Sequence, residues 1–389
     1  MKCVLLVLVL TTLAAAQPLR HDPSRDPVIG VNIWSVYAGG AGVAAWEEQI
    51  ERIHRMGFGA VTILPQFFVN LATGEVSRQD PTPRPTYGGM SDTELTAAIA
   101  KAKSLGLIVT VSPTLEPANR TLFRGEIAFN DSPPKEHNGV DTPDAEARFW
   151  SSYTAQIAHF AALAQAAGAD RLNIGAELGT LDTDPRNARL WKILIETADE
   201  HFTGQLGYTT VHWTFDSPAT RAMIYADPKI DYISLSSYFA LATEAQAAAS
   251  GGPGDVEFVR IVQENFTRAL KDRILPAAAA LKKPVILNEI GITPFDGAAA
   301  QPWDWTLGDR AKYDPAEARN VLEGIFRAIA DRNEQIVTAN LWIWGWPGGF
   351  ASERFYINDN PADLPDTPFD ESQMSLSNEF IKAYLLDDR

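Results

Sequence analysis

Eight apolar stretches, each trailed by a helical segment, recur along the 389-residue chain, and this alternation constrains its fold more than any other feature. The strand-like stretches run Pro27–Trp34, Ala60–Phe68, Leu107–Pro113, Arg171–Glu177, Gln205–Trp213, Tyr232–Tyr238, Pro284–Gly291 and Val337–Trp346. Between them lie Val43–Gly57, closed by glycine, and Ser91–Gly106, where Ser91 with Glu94 three residues on forms a capping box. Further helices are expected over Asp144–Gly168, Ala188–Phe202, Val256–Leu281 and Pro315–Asn333, a short one near Pro218–Tyr225, and a last one over Ser375–Leu386. Strands rich in Val and Ile, each followed by a helix, make a parallel sheet covered on its outer face. A count of eight selects a closed (β/α)8 barrel of the TIM type, an α/β fold, over an open sheet. No Gly-x-Gly-x-x-Gly follows the first strand, which removes the main support for a dinucleotide-binding fold. No low-complexity linker divides the chain, so residues 17–389 read as one domain.

The first sixteen residues have the composition of a signal peptide: Lys2, an apolar run from Val4 to Leu10, and small residues Ala14 to Ala16 ahead of Gln17. A secreted or periplasmic protein is therefore expected. Cys3 is the only cysteine, so residues 17–389 contain no disulfide, thiol nucleophile or thiolate ligand. A formal charge of −16 argues against nucleic acid and anionic membrane surfaces as partners, both of which require clustered Lys and Arg. The six histidines are scattered without a metal-binding spacing, and Gly-x-Ser-x-Gly is absent. Neither a metal nor an organic cofactor is expected.

Barrel enzymes build their sites at the carboxyl ends of the strands. Asn32 and Trp34, Glu177, His212 and Trp213, Tyr238, Asn288 and Glu289, and Trp342 and Trp344 stand at those ends. A lone Glu after a strand is ordinarily a solvated charge. Two of them, after strands four and seven, can instead face each other across the mouth. Such a pair suits glycosidic bond cleavage, where one carboxyl group protonates the departing oxygen and the other attacks the sugar carbon or activates water. A separation of about 5–5.5 Å gives retention and one of about 6.5–9.5 Å gives inversion. Asn288 has a plainer reading, ending its strand by bonding to local backbone. His212 and Trp213 read either as a rim histidine beside a core indole or as a hydroxyl donor with a stacking face.

At these residues the chain resembles the clan of (β/α)8 glycoside hydrolases whose acid/base and nucleophile are glutamates after strands four and seven. Within it, the chain is most similar to family 113, retaining enzymes associated with β-1,4-mannan. The likeness rests on IGAEL (Ile174 to Leu178), ILPQFF after strand two, SPTLEPANRTLFRGEIAF after strand three and LWIWGW on strand eight. The resemblance implies Glu177 as acid/base, Glu289 as nucleophile and Tyr238 as the partner of Glu289. It also implies Arg124 beside the site, and Trp344 or Trp342 as the platform under the cleaved sugar. Ala176 replaces the Asn that the wider clan places before its acid/base, so a contact to the sugar 2-hydroxyl comes from elsewhere or is missing. The function so implied is hydrolysis of a β-linked polysaccharide or oligosaccharide, most directly mannan. Xylan, β-glucan, short β-mannosides, or binding without cleavage are the alternatives. As acid, Glu177 needs a raised pKa before attack, and the nearby charge of Glu289 is expected to raise it.

Overall fold

The computed structural model describes residues 19–35, 41–78, 89–118, 122–129, 144–346, 357 and 371–386; the expected signal peptide lies outside them. Eight parallel strands close into a barrel: β1 (Val28–Trp34), β2 (Ala60–Leu64), β3 (Ile108–Val111), β4 (Arg171–Ala176), β5 (Gln205–Val211), β6 (Tyr232–Ser236), β7 (Val285–Ile290) and β8 (Ile336–Leu341). They follow one another around the ring in chain order, and β8 pairs with β1 from Val28 opposite Thr338 to Val31 opposite Leu341.

Long helices cover this ring: α1 (Val43–Arg55), α2 (Asp92–Ser104), α3 (Ala145–Ala167), α4 (Ala188–His201), α5 (Val256–Ala269), α6 (Pro315–Ile329) and α7 (Glu371–Leu386). Most of the described sheath helices bury one stripe, whereas α6 is buried on nearly every side. In α1 the stripe is Trp46, Gln49, Ile50 and Ile53, spaced so that all four face the sheet. Full burial of one such apolar side chain stabilises the fold by roughly 1.5–3 kcal/mol. The capping box on α2 forms as expected: the Glu94 amide donates to Ser91 Oγ at 3.2 Å and the Ser91 amide to Glu94 Oε2 at 2.9 Å. Past α5 the helix widens into a π turn over Leu270–Ile274 before Leu275–Leu281, because Pro276 has no amide hydrogen to continue the α ladder.

The inside of the barrel is polar. Arg171 Nη1 donates to Thr338 Oγ1 at 2.8 Å, Tyr232 Oη to Asn173 Oδ1 at 2.9 Å, and Asn340 Nδ2 to Thr62 Oγ1 at 3.0 Å. These bonds tie together strands that are not neighbours in the sheet, and so fix the shape of the ring that carries the site.

Several expected strands are shorter than their apolar runs, β8 among them, which ends at Leu341 rather than Trp346. Strand two turns at Pro65 and strand three at Pro113, and both continue as rim strands, Gln66–Val69 and Thr114–Pro117. With Val76–Ser77 these form a separate three-stranded sheet over the mouth. Strand five ends at Val211, which leaves His212 and Trp213 on the turn beyond it.

Gly207 on β5 is required by close approach: a Cβ there would lie 2.2 Å from the Tyr232 ring. Gly207→Ala is expected to lower stability by roughly 1–3 kcal/mol, measured as a reduced denaturant midpoint by circular dichroism.

Candidate active site

Strand β4 delivers Glu177 in an unusual backbone. Its register with β5 shifts between Asn173 and Ala176. At Gly175, φ is 154° and a Cβ would lie 2.2 Å from the Tyr153 hydroxyl, which donates to the Ile174 carbonyl at 2.8 Å. Glu177 itself has φ 57°, in the left-handed region that a non-glycine residue seldom occupies and that concentrates at functional sites. Its amide donates to the Thr209 carbonyl at 2.7 Å, and its side chain turns inward with the residue only 6% exposed.

Arg124, on a short 3-10 turn over Arg124–Glu126, joins strand four to the rim. Its Nη1 donates to Glu177 Oε2 at 2.5 Å, and its Nε to Glu116 Oε1 at 3.0 Å. Nη2 also reaches Glu116. Burial works against the guanidinium charge, yet Glu116, Glu177 and Glu289 raise its pKa above the ordinary arginine value. Arg124 is thus a permanent cation among carboxylates.

Glu289 sits on β7 and is also 6% exposed. Tyr238, two residues past β6, donates its hydroxyl to Glu289 Oε2 at 3.1 Å, and the neighbouring Ser237 amide donates to the Glu289 carbonyl at 2.7 Å. Burial first, then the charge of Glu177, pushes the Glu289 carboxyl up to about 8, against the lowering effects of Arg124 and the Tyr238 bond. The sequence leads one to expect the raised carboxyl on strand four; the structure raises the one on strand seven, and Glu177 is bonded to Arg124. At neutral pH the pair therefore holds a proton, whose titration belongs to the two groups together.

The remaining expected residues divide. Trp34 and Trp342 pack at 5.6 Å between ring centroids, and Trp342 keeps part of its surface open. Trp344 requires a correction: it is 0% exposed, donates its indole N–H to Gln49 Oε1 at 2.9 Å and packs under Arg52, facing α1 rather than the mouth. Strand alternation would have put Trp342 and Trp344 on one face, but β8 ends at Leu341 and alternation ends with it. Asn32 and Asn288 belong to the polar interior: Asn32 Nδ2 donates to the Asn288 carbonyl at 2.8 Å, and Asn340 Nδ2 to Asn288 Oδ1 at 3.3 Å. His212 packs edge-on to Trp213 and against Phe239, and burial with the charge of Arg273 lowers its pKa to about 4, so it is neutral.

Trp213 is 51% exposed and Phe123 44%. Both line a cavity of about 570 Å³ that includes Glu177, Thr180 and Thr214. Sequence reasoning did not single out Glu116 or Phe123. Their signal is positional: Glu116 follows strand three by a few residues, and Phe123 directly precedes Arg124.

Removing the cation should raise the proton affinity of Glu289 further. In Arg124→Met, 13C-detected titration of Glu289 is expected to show a midpoint above that of the unsubstituted protein, itself displaced upward from the usual carboxylate range; an unchanged midpoint would show that Arg124 does not act on the pair.

Residues 76–359, more than half of the chain, match Glycoside Hydrolase Family 113. Among solved structures, that of a GH113 β-1,4-mannanase complex is similar with a TM-score of 0.67 at 20% identity, covering 94% of this chain and 100% of that one. The GH113 β-mannanase AaManA from Alicyclobacillus acidocaldarius, in complex with ManMIm, gives 0.62 at 21% identity over 90% and 96% of the two chains. An endo-1,4-β-D-mannanase from Thermotoga petrophila RKU-1 gives 0.52 at 12% identity over 93% and 99%. At such identities the structural likeness speaks to the fold. No curated protein matches the chain by sequence.

Proposed function

The chain belongs to glycoside hydrolase family 113, and from that premise we propose that it cleaves β-1,4-mannan by double displacement, with Glu289 as nucleophile and Glu177 as acid/base. The observation that carries the reading is a pair of buried strand-end glutamates under the charge of one buried arginine, which bonds Glu177, while Tyr238 bonds Glu289. Glu289 attacks the anomeric carbon while Glu177 protonates the leaving oxygen. Glu177 then takes a proton from the water that releases the sugar.

The pair holds one proton between its two carboxyl groups, and acid catalysis needs that proton on Glu177 as the bond breaks. As the bond breaks, positive charge developing at the anomeric carbon stabilises ionised Glu289 and so favours the proton on Glu177. Trp342 beside Trp34 supplies an apolar face on one side of the pair, and the cavity bearing Trp213 and Phe123 receives the leaving sugars beside Glu177. Export by the leader-like first sixteen residues is part of the same reading, and would give a mature protein beginning at Gln17.

Glu177→Gln and Glu289→Gln are each expected to lower mannan hydrolysis by at least a hundredfold. 1H NMR of the first products should show the β anomer. Normal turnover in either variant removes that residue from the mechanism, an initial α product rejects double displacement, and a preference for xylan or β-glucan in a polysaccharide panel replaces the substrate.

The pH dependence has a definite sign. A carboxyl raised to about 8 keeps the pair singly protonated below that pH, and the proton is lost above it. kcat/KM is therefore expected to fall as pH rises through about 8, and to fall again in acid where both carboxyl groups are protonated; a profile flat from pH 7 to 10 contradicts this proton assignment.

A further inference from the structure

Behind Glu177, away from the mouth, lies a buried acid that the reaction does not touch. Asp182, on the short helix Gly179–Thr183, is 0% exposed. Three hydroxyl groups point at its carboxyl: Tyr208 Oη at 2.9 Å, Thr210 Oγ1 at 3.3 Å and Thr220 Oγ1 at 3.4 Å. Tyr208 lies between β5 and the helices, packed on Trp191 at 5.0 Å between ring centroids, so neither it nor Asp182 lines the cavity beside Glu177.

The Tyr208 hydroxyl has a second bond. It accepts the Leu178 amide at 2.8 Å, the N–H of the peptide that leaves Glu177. On the other side of Glu177, its own amide is held by the Thr209 carbonyl at 2.7 Å, and the Leu178 carbonyl accepts the Asp182 amide at 2.8 Å. The left-handed residue is therefore pinned at both of its peptides, and the downstream pin runs through one phenol to one carboxyl group.

We propose that Asp182, acting through Tyr208, is a positioning device that aims the Glu177 carboxyl at the leaving-group oxygen. A hydroxyl that accepts from one group while donating to another is fixed in rotation, and the acceptor for its proton is what fixes it. Burying an acid for this end is costly: burial pushes Asp182 up to about 8, the nearby charge of Glu177 adding to the effect. An apolar residue would fill the same space without that penalty but would leave the phenol free to turn from the Leu178 amide. The proposal rests on the hydrolase reading for Glu177.

Leaving-group dependence tests it, because a group that departs unaided needs no proton donor. Mannan oligosaccharides and a 2,4-dinitrophenyl β-mannobioside are compared by kcat/KM, which reads the first bond-breaking step. Tyr208→Phe and Asp182→Ala should lose about a hundredfold on the oligosaccharide, yet stay within about threefold on the dinitrophenyl substrate. Asp182→Asn, which keeps an oxygen to accept the phenol proton, should stay within about fivefold on both substrates. If Asp182→Ala does not fold, Tyr208→Phe decides the matter alone. An equal loss on both substrates, or no loss on either, overturns the positioning role while leaving the hydrolase reading intact. An unsubstituted protein that cleaves neither substrate overturns both.

Discussion

One guanidinium holds the candidate site together. Arg124 is buried among Glu116, Glu177 and Glu289, and a buried cation is tolerated only where opposite charge and hydrogen bonds replace lost water. Its fork bonds to Glu116 and Glu177 on two sides, which locks the loop after β3 to the end of β4. Three carboxyl groups around one cation leave excess negative charge in a poorly hydrated space. Proton retention by the carboxyl pair is the physical answer, and it shows as the raised carboxyl of Glu289, which has no hydrogen bond to Arg124 among those described. Under the proposed mechanism, that retained proton is the one glycosidic cleavage requires.

That charge arrangement depends on backbone geometry two layers away. The register shift in β4, the contact of Tyr153 with Gly175 and the left-handed conformation of Glu177 together rotate one side chain inward at a point where a regular strand would have continued upward. A left-handed glutamate costs about 1–3 kcal/mol of backbone strain. The hydrogen bonds at the flanking peptides, to Thr209 and Tyr208, hold the conformation against that cost. Side chains in the helix layer thereby set the geometry of an acid at the mouth.

The fold was legible because it depends on periodicity, which is local. Eight apolar runs with helical segments between them specify a ring, and the ring puts Glu177 and Glu289 at its open end without any knowledge of tertiary contacts. The rim was not legible. Ala60–Phe68 reads as one strand in composition, while Pro65 sends its second half into a different sheet. Trp344 fails for a related reason: alternation assigns faces only while a strand lasts, and β8 stops three residues short of it. Glu116 carries only a positional signal, since its importance lies in where Arg124 reaches. The raised carboxyl of Glu289 was equally hidden, because it follows from how four charged groups divide one buried volume.

The two flanks of the carboxyl pair are chemically unlike, and this gives the site a direction. On the Glu289 flank, the Tyr238 hydroxyl bonds to the Glu289 carboxyl, and Trp34 and Trp342 pack on each other at the ends of β1 and β8, the latter being the strand beside β7. On the Glu177 flank a cavity of about 570 Å³ carries two half-exposed aromatic residues, Phe123 and Trp213. Apolar faces of that size left in water are unfavourable unless something covers them part of the time. A sugar chain does this with its axial C–H face, and it departs easily because each stacked ring contributes only a modest energy. Under the proposed mechanism, the half-exposed aromatic faces beside Glu177 favour release of the first product.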